Sequence, residues 1–185
     1  MIDEILMDAE MKMDSAIEHA KEEFAAIRTG RAHPAMFSKL TVEYYGASTP
    51  LQQLASFQVP EARMVLITPY DKGSMAGIEK AIRDSDLGVN PTDDGNVIRV
   101  TLPELTEERR REYIKLARTK AEDAKISIRT HRRSAKEALD KLVKDKEVGE
   151  DEVARAEKQL DAVTKQHTDA VDEVLKHKES ELIEV

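Results

Sequence analysis

Six basic side chains, Arg118, Lys125, Arg129, Arg132, Arg133 and Lys136, recur at spacings that are mostly 3, 4 and 7 residues. Such spacings return to one side of an α-helix, and guanidinium groups match phosphate oxygens in pairs. The chemistry on offer is phosphate binding. Six contacts of this kind make an affinity fall steeply with salt, because every neutralised phosphate releases condensed counterions. The same pattern also suits a solvated face whose charges pair with acidic neighbouring helices. The expectation for the cluster 129–136 is a ligand, with Glu137 read as its nearby acidic partner on the same helix.

These cations sit in a chain whose net charge is −8 and whose pI is about 5.3. The charge is sorted by segment. Residues 1–30 carry 3 basic and 8 acidic side chains, 106–146 carry 14 and 8, and 147–185 carry 5 and 12. Residues 31–103 are nearly neutral, with 7 basic and 8 acidic. A local net of +6 in 106–146 can hold phosphates although the whole-chain pI argues against nucleic acid.

Other chemistries lack their residues. There are no cysteines among the 185 residues, so thiolate and disulfide chemistry is excluded. His131 and His167 fall on helical seams, and His19 and His177 lie at or beside them, without a His-x-x-x-His pair. Packed histidines are expected there, and no metal site. Met7, Met11 and Met13 read as helix-core filler. No phosphate-binding Gly-x-x-x-x-Gly-Lys loop, no Gly-x-Ser-x-Gly elbow and no paired-carboxylate site occurs. The expectation is a non-enzyme with no catalytic residue and no cofactor. Phe24, Phe37, Phe57, Tyr44, Tyr45, Tyr70 and Tyr113 form no stacking platform in sequence, so an RNA partner would be read by shape and phosphate. No apolar run approaches the ~18 residues of a membrane span. The acidic start, Met1 to Glu10, lacks a cationic signal region, and a cytoplasmic protein is expected.

Periodicity supplies the elements. Ile2, Leu6, Ala9, Met13, Ala16, Ala20, Phe24 and Ile27 step by three and four, predicting a helix over 2–29 that Gly30 and Pro34 terminate. The period then changes to two. Leu40, Val42 and Tyr44 predict a strand, as do 63–67 and 97–102, with turns at 46–50 and 90–95. A short helix over about 73–85 turns Ile78 and Ile82 inward. Thr106 is the expected N-cap of a second long helix, 106–146, with the seam Ile114, Ala117, Ala121, Ala124, Ile128, His131, Ala135, Ala138 and Leu142. A break near Val148-Gly149-Glu150 opens a third, with Val153, Ala156, Leu160, Val163, Ala170 and Val174 inward.

Three one-striped helices bury their stripes best against each other. The fold class predicted is α+β: a long three-helix bundle from 1–30 and 104–185, with a small α/β domain, 31–103, inserted. Two linkers at one end of a rod predict an L-shaped molecule with a bendable elbow, and its hinge residues are Gly30, Arg31, Pro103 and Glu104.

Several segments then act together in chain order. They are Ile27-Arg28-Thr29-Gly30-Arg31-Ala32, Val42-Glu43-Tyr44-Tyr45-Gly46, Thr49-Pro50-Leu51, Lys80 to Gly88, Asn90-Pro91, Ile98-Arg99-Val100, Leu105 to Arg110, and Arg129 with Arg132-Arg133. In this combination the chain resembles the bacterial ribosome recycling factor family along essentially its whole length. That resemblance implies a translation factor shaped like a transfer RNA, a monomer with no membrane partner. It implies binding to ribosomal RNA of the large subunit after termination. With elongation factor G and its GTP hydrolysis, such a factor splits the ribosome and frees the messenger and the deacylated transfer RNA. The implied RNA-binding residues are Arg28, Arg31, Arg110, Arg129, Arg132 and Arg133. Gly149 departs from the family pattern, which has Ser or a similar capping residue there. The competing expectation is a coiled-coil adapter that displays the inserted domain to a protein partner.

Overall fold

A computed structural model describes residues 1–184 as four α-helices, six strands and three short 3-10 turns. The chain divides into two compact units: Met1–Phe24 with Lys115–Glu179, and Ala25–Ile114 with the residues from Ser180 onward.

The first unit is built from α1 (Ile2–Ala25) up to Phe24, α3 (Glu107–Lys144) from Lys115 onward, and α4 (Glu150–Ile183) up to Glu179. At ~1.5 Å per residue, the 38-residue α3 is about 57 Å long. Cross-helix bonds set the directions. Asp14 meets His167, Glu23 meets Lys120, and Lys136 meets Glu157, so α1 and α4 run together and α3 runs opposite. Buried Ala9, Ala20, Ala117, Ala121, Ala124, Ala135 and Ala156 keep the seam narrow, and Met13, Ile128, Leu139 and Leu160 fill it.

The seam departs from the predicted one near the far end of α3. Leu139 is fully buried, whereas Leu142 and Ala138 are half-buried. An undistorted helix drifts about 20° per heptad from a strict seven-residue repeat, and the drift moves the inward position by one residue. On α4, Thr164 and His167 take buried places, while the predicted Val163 and Ala170 are half-buried. Both polar side chains have partners. Thr164 Oγ1 donates to the Leu160 carbonyl at 2.7 Å; His167 Nδ1 lies 2.7 Å from the Val163 carbonyl and Nε2 lies 2.6 Å from Asp14 Oδ1. Satisfied polar groups can occupy a seam that orphaned ones could not.

Thr106 caps α3 as predicted, its Oγ1 accepting from the Arg109 N–H at 3.1 Å. The other end closes in a Schellman motif: the Glu147 N–H donates to the Leu142 carbonyl and the Lys146 N–H to the Val143 carbonyl. Lys146 holds the left-handed position with φ 58°, a conformation that L side chains disfavour.

The predicted helix over 2–29 ends at Ala25. The shortening has a tertiary cause. Ile27 and Arg28 are both buried, and the Arg28 guanidinium donates to the carbonyls of Leu87 and Pro103, which a continuing helix would place out of reach.

The second unit holds a hairpin, β1 (Thr41–Tyr44) and β2 (Ala47–Pro50), and an antiparallel sheet of β3 (Ala55–Glu61), β4 (Met64–Pro69), β5 (Asn90–Asp93) and β6 (Ile98–Thr101) in the order β3-β4-β6-β5. The turn predicted at 46–50 is narrower: Tyr45 and Gly46, with φ 48° and 78°, form a two-residue turn, and 47–50 is strand. Two positive φ angles in a row mark the type I′ turn, whose twist matches paired strands. The turn predicted at 90–95 likewise contracts, because Asn90–Asp93 pairs with β6 as an edge strand. Pro91 is tolerated there since an edge residue needs no outward donor. β3 was not predicted. Helix α2 (Met75–Arg83) covers the hairpin so closely that a Cβ on Gly77 would lie 3.0 Å from Val42 Cγ1. Phe37, Leu51, Val65, Ile67, Ile78, Ile82, Ile98 and Val100 are fully buried between these layers.

Candidate nucleic-acid interface

The sequence puts six cations on one face of α3, and the structure sorts them into two sets. Four bond across to α4 in antiparallel register. Arg118 Nε lies 2.8 Å from Glu179 Oε1, Lys125 pairs with Asp172, Arg132 with Asp161, and Lys136 Nζ lies 3.5 Å from Glu157 Oε1. Lys136 also reaches Asp140 at 3.3 Å, and that bond, with Asp140 and Glu157 as nearby charges, raises its ammonium above the ordinary lysine value. Here the acidic helix faces the basic one, so the pairing alternative left open by the sequence holds for these residues.

Arg129 and Arg133 form the second set. Both are exposed. Arg129 has a long bond, 3.4 Å, to Glu122 two turns away, and Arg133 has no ion pair among the described residues. Ile126, 53 % exposed, lies on the same side of the helix one turn before Arg129 and two before Arg133. Exposed guanidinium groups, one of them held only by a long bond on its own helix, beside an exposed aliphatic chain suit an extended anionic partner with apolar edges, as nucleic acid is.

In the second unit, Arg28 is buried to 4 % exposure. Its Nη1 donates to the Leu87 carbonyl at 3.2 Å and its Nη2 to the Pro103 carbonyl, while Nε is buried without a partner among the described residues. Burial pushes this guanidinium below its ordinary value, Tyr113 acts the other way, and Arg109 adds to the lowering. Arg28 thus ties the strand leaving α1 to the strand entering α3. Arg31 is exposed, and its backbone N–H reaches Thr29 Oγ1 at 3.4 Å. Arg110 is half-buried with its Nε unpartnered.

The predicted hinge residues share this neighbourhood. Beside them, the Ala32 N–H donates to the Ala62 carbonyl and the Leu102 N–H to the Arg63 carbonyl, pinning both strands to the turn between β3 and β4. Arg63 also pairs with Glu104 at 3.4 Å. Gly30 does not use a left-handed φ, and a Cβ there would meet only the Glu184 carbonyl oxygen at 3.8 Å. Sequence reasoning missed this pinning and the clamp by Arg28; the one signal was a charged residue directly after the apolar step Phe24 to Ile27.

Aromatic residues pair in two places. Phe37 and Phe57 stack at 5.7 Å against the core, and Tyr44 meets Tyr45 edge-on at 4.5 Å. The Tyr44 hydroxyl donates to Asp71 Oδ2 at 2.8 Å, a bond that pushes the phenol up to about 12. Asp71 is held below the usual carboxylate range, chiefly by the Gly73 N–H and then by Tyr44.

The fold is that of a protein joining a bundle of long charged helices to a small antiparallel-sheet unit, with an arginine face as its most distinctive surface. No helix among the described residues is long and apolar enough to cross a membrane. A family profile described as "Ribosome recycling factor" matches residues 20–183. The chain is 69 % identical over 185 residues to the ribosome-recycling factor of Kineococcus radiotolerans and 67 % identical to that of Streptomyces coelicolor, with both partners covered completely. A solution structure of the ribosome recycling factor superposes with a TM-score of 0.76 at 41 % identity, covering 100 % of this chain and 98 % of that one. A second likeness, TM-score 0.69 at 38 % identity with both chains fully covered, is to a structure of the T. thermophilus ribosome recycling factor and the E. coli elongation factor G bound to the E. coli post-termination complex. The chain belongs to the ribosome recycling factor family, whose members are translation factors.

Proposed function

We propose that this protein binds the large ribosomal subunit after termination and, with elongation factor G and GTP, splits the ribosome, releasing messenger and deacylated transfer RNA. End-to-end kinship with proteins of that name carries the reading. The protein is itself no enzyme; the GTP is hydrolysed by the elongation factor. It acts as a cytoplasmic monomer and needs no cofactor. Arg129, Arg132 and Arg133 contact ribosomal RNA phosphates, and their position on a rigid helix rather than a loop supports that role. Arg31 and Arg110 add contacts near the linkers. Arg28, whose donors face carbonyls, serves by holding the linkers together. The functional division is 1–30 with 104–185 against 31–103, and Gly30, Arg31, Pro103 and Glu104 form the hinge strands.

Co-sedimentation with ribosomes at several salt concentrations tests the assignment. Arg133→Ala should weaken binding and reduce the slope of log affinity against log salt by about 1, the share of one phosphate contact. Unchanged affinity and slope would remove Arg133 from the interface.

A further inference from the structure

Arg132 is the one arginine of the proposed RNA-contacting cluster that α4 already occupies. Its Nε lies 2.7 Å and its Nη2 2.6 Å from the same oxygen, Oδ1 of Asp161. Two short charge-assisted bonds fix the plane of the guanidinium, and an anionic oxygen bound this way stands where a phosphate oxygen would bind. The Arg132 side chain is 34 % exposed and that of Asp161 57 %, so the pair lies at the surface, within reach of solvent and of a polyanion. Arg133, the next residue, has no such counter-ion among the described residues.

We infer that Asp161 is an internal competitor for phosphate that sets the availability of Arg132 to RNA; this rests on the reading of Arg132 as an RNA contact. An RNA phosphate that takes the Nε and Nη2 edge of Arg132 must displace a carboxylate that is tethered there. Stray single strands, which make few simultaneous contacts, are thereby held to weak binding, while a partner with many contacts still exceeds the threshold. The remaining rungs at Arg118, Lys125 and Lys136 keep the two helices in register when the Asp161 rung opens.

Affinity for poly(U) and for ribosomes, measured on full-length variants whose helix content and melting temperature match the parent, tests the inference. Asp161→Asn should tighten poly(U) binding about two- to fivefold, the scale of an exposed ion pair. Glu173→Gln controls for net charge, since Glu173 is exposed on α4 and has no ion pair among the described residues; its effect should be smaller. In an Arg132→Ala background the gain from Asp161→Asn should vanish. A gain that persists in that background, or that Glu173→Gln matches, overturns the inference. Should Arg132→Ala bind ribosomes like the parent while the poly(U) results hold, the competition is supported and the placement of Arg132 on ribosomal RNA fails.

Discussion

The helical unit and the sheet unit bury their apolar residues in opposite ways. The helical unit packs along a thin seam made largely of alanines, with single large side chains such as Met13, Ile128 and Leu139 between them. The sheet unit concentrates its burial in Phe37, Leu51, Ile67, Ile78, Ile82 and Ile98, each without exposed surface. A thin seam leaves most of each helix surface for charge, and that is where the arginine face and its acidic counterpart lie. A concentrated core needs no such seam, and the 31–103 segment carries balanced charge, 7 basic against 8 acidic side chains. Docking chemistry belongs to the first arrangement and shape retention to the second.

The contrast predicts the size of core defects. Ile98→Ala, on the strand held between β4 and β5, should cost about 2–5 kcal/mol in urea unfolding, since deleted methylenes leave a cavity that sheet neighbours cannot close. Ala135→Gly in the helical seam should cost about 1 kcal/mol, the helix-propensity difference, because little volume is removed. Equal losses at the two sites would break the comparison.

An effect as small as the seam change, but of opposite sign, is expected where α3 ends. Lys146→Gly should stabilise by about 1 kcal/mol in the same experiment, because glycine takes the left-handed position without the cost a side chain bears there. No gain would mean that the Lys146 side chain has contacts outweighing its strained backbone.

The last prediction is one of pH and concerns a bond inside the sheet unit. The Tyr44 phenol is raised from its ordinary 10 to about 12 by its bond to Asp71. The folded protein therefore keeps this proton where the unfolded chain loses it. Stabilisation by the bond is complete below pH ~10 and is lost as pH rises toward ~12. In thermal melts across that range, the gap between the parent and Tyr44→Phe should close. A gap constant with pH would show that Tyr44 acts by packing only.

The two units also differed in how legible they were. The helices followed from a three-four period that lies within each segment, and their ends were placed within a few residues except at Ala25. There, bonds from Arg28 to carbonyls 59 and 75 residues away decide the ending, and no local signal carries them. Strands β2, β3 and β5 were missed or read as turns for a related reason. Their pairing depends on distant partners, and sequences such as Ala47–Pro50 and Asn90–Asp93 carry turn formers that tolerate an edge position. At the candidate interface, the arginines and their common face were visible in the spacing. Which of them are already neutralised was not, because the cross-helix pairs depend on the register between α3 and α4, and one residue of drift changes every rung.

The most direct test is a sucrose-gradient profile of post-termination ribosomes incubated with this protein, elongation factor G and GTP, each omitted in turn. Conversion of ribosomes to subunits only when all three are present is the result the proposed function predicts. Ribosomes that stay intact with all three present, with this protein absent from the ribosome fractions, would contradict it.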